Sequence, residues 1–277
     1  MMTDLKLKPG TYAPETGISY PADPWERIVK VEVEDSARGK YQFDETYPYL
    51  DDSFHYKWNK FLGIFVQGIA YLWNRLHFGL RVEGRQNLKG YRKQLSGGAM
   101  CVCNHVFVFD ALSVYQALNP FRQLRIPMFA KHFNGKKGWF MRYVGGVPLP
   151  ETRGGMEKFI EAFDEFHRRG EWMLVFPESV RWDWYVPVRP FKPGAFAMAY
   201  KYSIPVVPLA ISYRPRRGLY RLFGGPSLPC ATIHVGQPLL TDRSVDRKTE
   251  TERLCRESHR RIVDMAGIEQ NPWPAIR

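Results

Sequence analysis

Downstream of Gly84, short apolar runs alternate with segments of helical periodicity, and this alternation constrains the fold more than any other feature. The strand candidates are Ala99–Cys103, Ile126–Ala130, Leu174–Phe176, Val206–Ile211 and Thr232–Val235. Alternating strands and helices are typical of α/β proteins, in which helices cover a sheet. The pattern therefore predicts an α/β fold with a central, mostly parallel or mixed sheet flanked by helices.

Two helices are the clearest of the helical segments. In the first, apolar residues recur at helical spacing at Met156, Phe159, Ile160, Phe163 and Phe166. This helix is expected to end at Arg168 and Arg169 before Gly170, because basic side chains favour a helix C-terminus and glycine favours a left-handed cap. The second, Lys248–Ala266, is expected to close the chain as an amphipathic helix.

The chain of 277 residues divides into three parts by composition. Residues 1–56 are rich in proline, tyrosine and acids, with one strand-like alternation at Val29–Val33, and are predicted to form an extended N-terminal arm. Residues 57–80 are predicted to form a membrane-interfacial helical segment. Residues 81–277 are predicted to form the main domain, and a chain of this length can bury a substantial core.

The helical segment contains an uncharged apolar run, Phe61–Trp73, flanked by Lys57, Lys60 and Arg75. The run is too short to span a bilayer, which needs about 20 apolar residues. Two interpretations stay open, an ordinary core helix and a helix that lies at the water–lipid boundary. The aromatic residues and basic flanks favour the boundary, where aromatic rings contact both phases.

The formal net charge of +12 predicts an anionic partner, either a phosphate ester, a lipid headgroup or nucleic acid. The sequence contains no zinc-finger spacing, aromatic RNA-binding signature or basic zipper, so we expect no nucleic-acid partner. An anionic membrane surface is the favoured interpretation. The basic loop Arg214–Arg221 either faces such lipid or is simply solvated.

The cysteines and the N-terminus bear on the cellular compartment. The four cysteines, at positions 101, 103, 230 and 255, form no recognisable disulfide framework. The N-terminus lacks the apolar core of a secretory signal. We therefore expect reducing surroundings and a peripheral position at the cytoplasmic face of a membrane.

Candidate chemistry begins directly after the first strand candidate, at His105. Asp110 follows five residues later, where a helix is expected to start. A strand–loop–helix turn can bring the two side chains together, and a helix N-terminus favours negative charge on Asp110. The carboxylate would fix the imidazole tautomer and leave the other nitrogen to accept a proton from a hydroxyl. The alternative is a histidine that serves only the fold.

His259 and Asp264 have the same spacing but lie in a continuous helical stretch. Residues five apart on a helix point about 140° away from each other, so these side chains should not meet. We assign this second pair to a solvated helix face. The sequence also contains no Gly-x-Ser-x-Gly pattern, which disfavours a covalent intermediate on serine.

A second candidate site lies at the end of another strand candidate, in Phe176-Pro-Glu-Ser-Val-Arg181. Loops at the carboxyl ends of α/β strands commonly bind ligands. Arg181 and Lys192 can hold a phosphate, and Glu178 can accept a hydrogen bond from a hydroxyl or hold Arg181 in place. The alternative is an ion pair on an ordinary surface loop.

Taken in order, these segments resemble the glycerolipid acyltransferase superfamily, in particular the bacterial 1-acylglycerol-3-phosphate acyltransferases. The blocks are Asn104-His105-x4-Asp110, Gly138–Pro148, Phe176–Arg181 and Ile204–Ile211, preceded by a lead-in strand at Arg81–Leu88. Each block alone is loose, whereas their order and spacing together are specific.

The resemblance implies a peripheral membrane O-acyltransferase whose main domain, residues 81–277, is an acyltransferase domain. Such an enzyme moves a fatty acyl group from an acyl-CoA or acyl carrier protein (ACP) thioester to the free hydroxyl of a lysophospholipid, foremost 1-acylglycerol-3-phosphate. It further implies that His105 is the base and Asp110 its orienting partner, without a covalent acyl-enzyme, a metal or a cofactor other than the thioester co-substrate. The predicted substrate-binding residues are Asn104, Glu178, Arg181, Lys192 and Arg153.

The expected partners are the acyl thioester donor, the lysophospholipid acceptor, an anionic membrane surface and an acyl carrier protein. The basic stretch 131–137 is a candidate contact for the phosphates of coenzyme A.

Departures from the family pattern leave the acceptor open. Ser179 and Val180 stand where the family usually has Gly-Thr, and Phe107 stands where a serine is common. Arg153 follows the second block only after an insertion, so its equivalence to the family arginine is open. Two alternatives remain: an acyltransferase for another lysolipid or lyso-aminolipid acceptor, and a non-catalytic basic membrane-binding module.

Overall fold

The computed structural model describes residues 4–28, 42–118, 124–134, 138–223 and 228–277. The alternation at Val29–Val33 lies outside these residues, and its conformation stays a prediction. The strands are β1 (Lys6–Leu7), β2 (Arg81–Glu83), β3 (Met100–Cys103), β4 (Leu124–Met128), β5 (Gly146–Pro148), β6 (Trp172–Val175), β7 (Val206–Arg214), β8 (Cys230–Val235) and β9 (Ile268–Gln270). Strands β1 and β9 form a small antiparallel pair, and the other seven form one sheet.

The seven-stranded sheet has the order β2-β8-β7-β3-β6-β4-β5. Strand β3 lies at its centre and runs parallel to both β7 and β6. Strands β7 and β8 are antiparallel, whereas the other neighbouring pairs described for this sheet are parallel. The predicted mixed α/β fold is therefore confirmed. Strands β3, β4, β6 and β7 all end at one edge of the sheet, called the carboxyl edge below.

Both faces of the sheet are covered, and alternation along β3 shows this directly. Met100 and Val102 belong to one buried hydrophobic cluster, and Cys101 and Cys103 belong to another. Successive side chains of a strand point to opposite faces, so each cluster fills one face. A central parallel strand that is covered on both faces has apolar residues at every position, instead of alternating apolar and polar residues. The sequence of β3 has this pattern.

The helices are α1 (Phe54–His77), α2 (Asp110–Leu118), α3 (Lys131–Asn134), α4 (Gly138–Tyr143), α5 (Arg153–Arg168), α6 (Gly194–Tyr202) and α7 (Arg247–Met265). The longer helices begin at side chains that cap free backbone N–H groups. The Thr152 hydroxyl accepts from the Gly155 N–H before α5, and the Asp246 carboxylate accepts from two N–H groups of α7. Helix α5 ends as predicted, with Gly170 in a left-handed conformation (φ 66°).

Several strands have other ends in the structure than the sequence predicts, among them two neighbours that both begin earlier. Strand β4 begins at Leu124 rather than Ile126, and β6 begins at Trp172 rather than Leu174. Leu124 and Trp172 pair with each other across these two neighbouring strands. The pairing of the two strand starts is a long-range contact, so apolar runs alone could not fix the boundary.

Helix α1 presents a continuous apolar stripe to solvent, because its exposed residues recur three or four positions apart. The stripe consists of Phe54, Trp58, Phe61, Phe65, Ile69 and Leu72. The opposite side packs on the domain, where the Asn74 amide donates to Ser113 of α2 at 3.1 Å. Among the described residues, no helix has the length and apolarity needed to cross a membrane.

One part of the N-terminal arm, around Tyr20 and Glu26, lies against the loop that follows β6. The Tyr20 hydroxyl donates to the carbonyl of Asp183 at 2.9 Å, and the Glu26 carbonyl accepts from the Trp182 indole at 2.8 Å. The Tyr20 ring also lies against Trp182 and Tyr185. The arm therefore supports this loop, whereas the division of the chain into three parts stays a prediction.

His259 is not on a solvated face, and the expectation for it was wrong. Its ring is buried against Phe191, and its Nε2 lies 3.3 Å from the carbonyl oxygen of Val188. Asp264 instead pairs with Lys8 at the surface. The two side chains do not meet, as the helical spacing predicts, but helix α7 turns the histidine towards the core.

Candidate active site

His105 and Asp110 meet at the carboxyl edge of the sheet. Nδ1 of His105 lies 2.5 Å from Oδ2 of Asp110, so the two side chains are hydrogen-bonded. The Asp110 side chain is buried, while 21% of the His105 side chain is exposed. A buried carboxylate therefore holds a ring that remains accessible from outside.

The turn between β3 and α2 creates this contact. Asp110 is the first residue of α2, and its N–H donates to the carbonyl of Phe107 at 3.1 Å. Its second oxygen, Oδ1, accepts from the N–H of Ala111 at 2.7 Å. Backbone N–H groups at the start of a helix stabilise a carboxylate, so the turn both positions and stabilises the charge.

The imidazole of His105 is fixed on a second side by an aromatic ring. It stacks on Phe176 at the end of β6, with centroids 4.3 Å apart and planes 19° apart. In a neutral imidazole whose Nδ1–H donates to Asp110, Nε2 is the acceptor nitrogen. Nε2 makes no hydrogen bond to any residue that the structure describes, so it is available to take a proton.

Glu178 does not contact solvent, and the structure corrects its expected role in binding substrate. Its side chain is completely buried, and Oε2 accepts from the N–H of His105 at 2.9 Å. The same carboxylate pairs with Arg189, not with Arg181. Glu178 therefore holds the backbone of His105 from a position that is closed to an acceptor.

Arg189 is the functional residue that the sequence analysis missed. Its guanidinium is fully buried and donates to Glu178 at 2.8 Å and to the carbonyls of Pro24, His105 and Val180. Arginine alone among side chains offers five donors in a planar fork, which suits such a cluster of acceptors. The sequence around Arg189 did not reveal this burial, because one of the acceptors, the Pro24 carbonyl, belongs to the distant N-terminal arm.

The loop that carries Glu178 and Arg189 also binds the backbone next to His105. The N–H of Trp182 donates to the carbonyl of His105 at 3.0 Å, and the N–H of Trp184 donates to that of Val106 at 2.8 Å. Ser179 adopts a left-handed conformation in this loop, with φ at 68°. Glycine adopts such a φ without strain, and glycine is what the related blocks usually have at this position.

Asn104 also proves structural rather than substrate-binding. It is buried, and its amide exchanges two hydrogen bonds with the backbone of Ile211, at 3.0 Å from Nδ2 and 2.7 Å to Oδ1. Through these two bonds, the Asn104 side chain continues the hydrogen bonding between β3 and β7. Asn104 therefore fixes the point where the chain leaves the sheet, one residue before His105.

Arg181 lies at the surface and is one of several cations near His132. Its Nε lies 2.8 Å from the Asp183 carboxylate, and both side chains are partly exposed. Desolvation, together with the charges of Lys131, Arg181, His105 and Arg27, lowers the pKa of His132 to about 4. These positive charges act on His132, and the expected binding of a phosphate by Arg181 stays a prediction. Residues 135–137 of the basic stretch lie outside the described part of the chain.

The two remaining candidates lie away from the His105 contacts. Lys192 is exposed, with its ammonium 5.6 Å from the centre of the Trp25 ring and its N–H bonded to the carbonyl of Pro177. Arg153 begins α5, is almost entirely exposed and lies 3.7 Å from Glu157. No described contact brings Arg153 to His105, so its expected role in substrate binding stays a prediction.

Cys103, which ends β3, is a poor nucleophile in this setting. Burial raises the pKa of its thiol well above the usual range. A thiolate is the reactive form of cysteine, so a buried thiol of raised pKa is inert. The described cysteines are all free and buried.

Comparisons with known proteins agree with the sequence blocks. The family model described as Acyltransferase matches residues 79–212. Human 1-acyl-sn-glycerol-3-phosphate acyltransferase beta is 29% identical over 154 residues, which are 54% of this chain and 51% of that protein. The chain thus spans about half the length of this curated relative.

Among solved structures, the chain is similar to the 1-acyl-sn-glycerophosphate (LPA) acyltransferase PlsC from Thermotoga maritima. The match has a TM-score of 0.47 and 20% identity, and covers 78% of this chain and 84% of that one.

Proposed function

We propose that the chain belongs to the glycerolipid acyltransferase superfamily and that it transfers a fatty acyl group from a thioester to the free hydroxyl of a lysophospholipid. The observation that carries the proposal is the contact between His105 and Asp110 inside the region matched by the family model. As acceptor we propose 1-acylglycerol-3-phosphate, because the curated human relative is named for it and because His105 acts on His132 together with the cations Lys131, Arg181 and Arg27.

The proposed reaction needs one base and no covalent acyl-enzyme. Nε2 of His105 takes the proton of the acceptor hydroxyl while its oxygen attacks the thioester carbonyl. Asp110 stabilises the imidazolium that forms. The tetrahedral intermediate then collapses, the carbon–sulfur bond breaks, and the leaving thiolate takes the proton from His105. The products are an ester and a free thiol, and a positioned base of this kind contributes about 10²–10⁴-fold in rate.

The acceptor phosphate is proposed to bind Arg181, one of the cations near His132. Its ion pair with Asp183 is partly exposed, and exposed pairs contribute only about 0–1 kcal/mol. The guanidinium is therefore free to exchange a carboxylate for a phosphate, which it binds bidentately. Lys131 and Arg27 add positive charge near the same place.

The acceptor and the acylated product are lipids, so we propose that the protein works on a bilayer, at its cytoplasmic face. The exposed apolar stripe of α1 supports attachment, because an apolar face with aromatic residues suits the lipid boundary. Basic residues at the ends of the stripe suit anionic headgroups. The proposed donor is an acyl-CoA or an acyl carrier protein thioester.

A panel of acceptors tests the proposal and its nearest alternative. The full chain is incubated in detergent micelles with an acyl-CoA and one lysolipid at a time, and products are identified by mass spectrometry. Transfer to lysophosphatidate above lysophosphatidylcholine and a lyso-aminolipid is the expected result. Preference for a lyso-aminolipid would favour the other acceptor class, for which Ser179-Val180 in the acceptor block is the motivating departure. No transfer with any donor and acceptor would contradict the proposal.

A further inference from the structure

The turn between β7 and β8 exposes apolar and basic side chains side by side. It contains the 3₁₀ turn Gly218–Leu222, in which Leu219 is 76% exposed and Leu222 79% exposed. Phe223 is also exposed, and Arg217 and Arg221 are interleaved with these residues. Two nearly bare leucines on one short turn are unusual for a surface that meets only water.

The turn is held in place by a buried arginine. The Arg216 guanidinium donates to the carbonyl of Leu228 at 2.8 Å, of Tyr220 at 2.6 Å and of His77 at 2.6 Å. His77 is the last residue of α1, so Arg216 joins the turn to the C-terminal end of that helix. The hydrogen bonds of Arg216 thus hold the turn in the conformation that exposes the leucines.

The turn lies at the same edge of the sheet as the base. Strand β7 runs parallel to β3, so both end at the carboxyl edge. The hydroxyl of Tyr213, near the end of β7, donates to the carbonyl of Val106 at 2.7 Å. Val108, three residues after the base, is itself about half exposed. Exposed apolar residues of the β3–α2 turn and of the β7–β8 turn therefore lie at the same edge of the sheet as His105.

We propose that residues 217–223 form a second membrane contact, which inserts its leucines into an anionic bilayer and sets the carboxyl edge against the lipid. The proposal deepens the proposed function and rests on it for the identity of the lipid substrate. The interleaved arginines argue for a bilayer as occupant, because leucine enters the acyl region while arginine binds anionic headgroups. Together with α1, the turn would give the protein two points of attachment to the bilayer. Two points fix the orientation of the protein on the membrane, whereas one point does not.

Sedimentation with vesicles tests the contact. The full chain and its variants are mixed with phosphatidylcholine vesicles, with and without phosphatidylglycerol. The double variant Leu219→Ser/Leu222→Ser is expected to lower partitioning by about tenfold on both kinds of vesicle. The double variant Arg217→Gln/Arg221→Gln is expected to lower partitioning only on the anionic vesicles.

Leu240→Ser is the matched control, because Leu240 is 45% exposed and lies beyond the far end of β8. It is expected to partition like the unaltered chain. Unchanged partitioning of the leucine variant would overturn the proposal, as would an equal loss in the control. Circular dichroism checks that each variant is folded.

Activity in two settings separates this proposal from the proposed function. The leucine variant is expected to lose acyl transfer on vesicles and to keep it in detergent micelles. If the unaltered chain transfers no acyl group in either setting but the leucines govern partitioning, the function fails and the membrane contact stands. If the leucines govern only use of an acyl carrier protein thioester in micelles, with partitioning unchanged, the turn binds that acidic protein and the membrane contact is overturned.

Discussion

Nη2 of Arg189 lies 2.8 Å from Oε2 of Glu178, and neither side chain has any exposed surface. The same Oε2 accepts from the N–H of His105, so a buried ion pair holds the backbone of His105 in place. Such a pair is costly to break, because removing one partner leaves the other charge buried and uncompensated.

We predict that Arg189→Met lowers the free energy of unfolding by about 3–5 kcal/mol. The remaining carboxylate of Glu178 would be buried without its partner, and the loop that binds the backbone of His105 would loosen. At a temperature where the variant is folded, kcat should fall while KM changes little, since neither residue touches substrate. Urea unfolding and steady-state kinetics measure the two effects.

Arg256→Met is the control for Arg189, because Arg256 is an exposed arginine on α7. Exposed substitutions usually change stability by no more than about 0.5 kcal/mol. Replacing both buried charges, with Glu178→Gln added to Arg189→Met, should be less destabilising than the sum of the two single changes. Equal losses in Arg189→Met and Arg256→Met would contradict this account of the ion pair.

Ser179→Gly is predicted to stabilise the protein by about 0.5–1 kcal/mol. Ser179 has a φ of 68°, where an L-residue is strained and glycine is not, although glycine loses more entropy on folding. Ser203→Gly, at the left-handed end of α6, should give a similar gain at a site away from the base. Thermal unfolding of both variants measures the gain, and a loss of stability in Ser179→Gly would show that the serine is favoured there.

Acid should destabilise the fold in part through His259. Burial lowers the pKa of this ring, so the folded protein resists a proton that the unfolded chain accepts. The contribution of the neutral His259 ring to the free energy of unfolding is therefore fully present above the usual histidine pKa of about 6.5. This contribution is lost as pH falls below that value. His259→Gln should make stability depend less on pH between about 7.5 and about 5, measured by urea unfolding.

His55→Gln, on the exposed side of α1, serves as the control for His259 and should leave the pH dependence unchanged. If the variant at position 259 loses stability towards acid as steeply as the unaltered chain, His259 is not the group responsible.

Local sequence was sufficient to predict the pairing of His105 with Asp110. Both residues belong to a single strand–loop–helix turn, so their approach depends on the six consecutive residues 105–110 and not on distant ones. The α/β class was predictable for a similar reason, because each strand and helix carries its own periodicity. Neither inference required knowledge of which strands pair.

Contacts between distant segments were not predictable in the same way. Glu178 and Asn104 are polar residues beside the base, and their types alone did not reveal that the fold buries and satisfies them. Arg189 became a buried donor only because the arm, through the Pro24 carbonyl, covers it. For α1, the apolar run left core and surface both open, and packing against α2 through Asn74 decided which side faces out.

The central claim is that His105 is the base for acyl transfer, and one measurement tests it most directly. The rate of lysophosphatidate acylation is measured in detergent micelles for the unaltered chain and for His105→Ala, with circular dichroism to verify folding. We predict that kcat falls by about 10²–10⁴-fold, as expected for loss of a positioned general base. A folded His105→Ala variant that retains full activity would contradict the account.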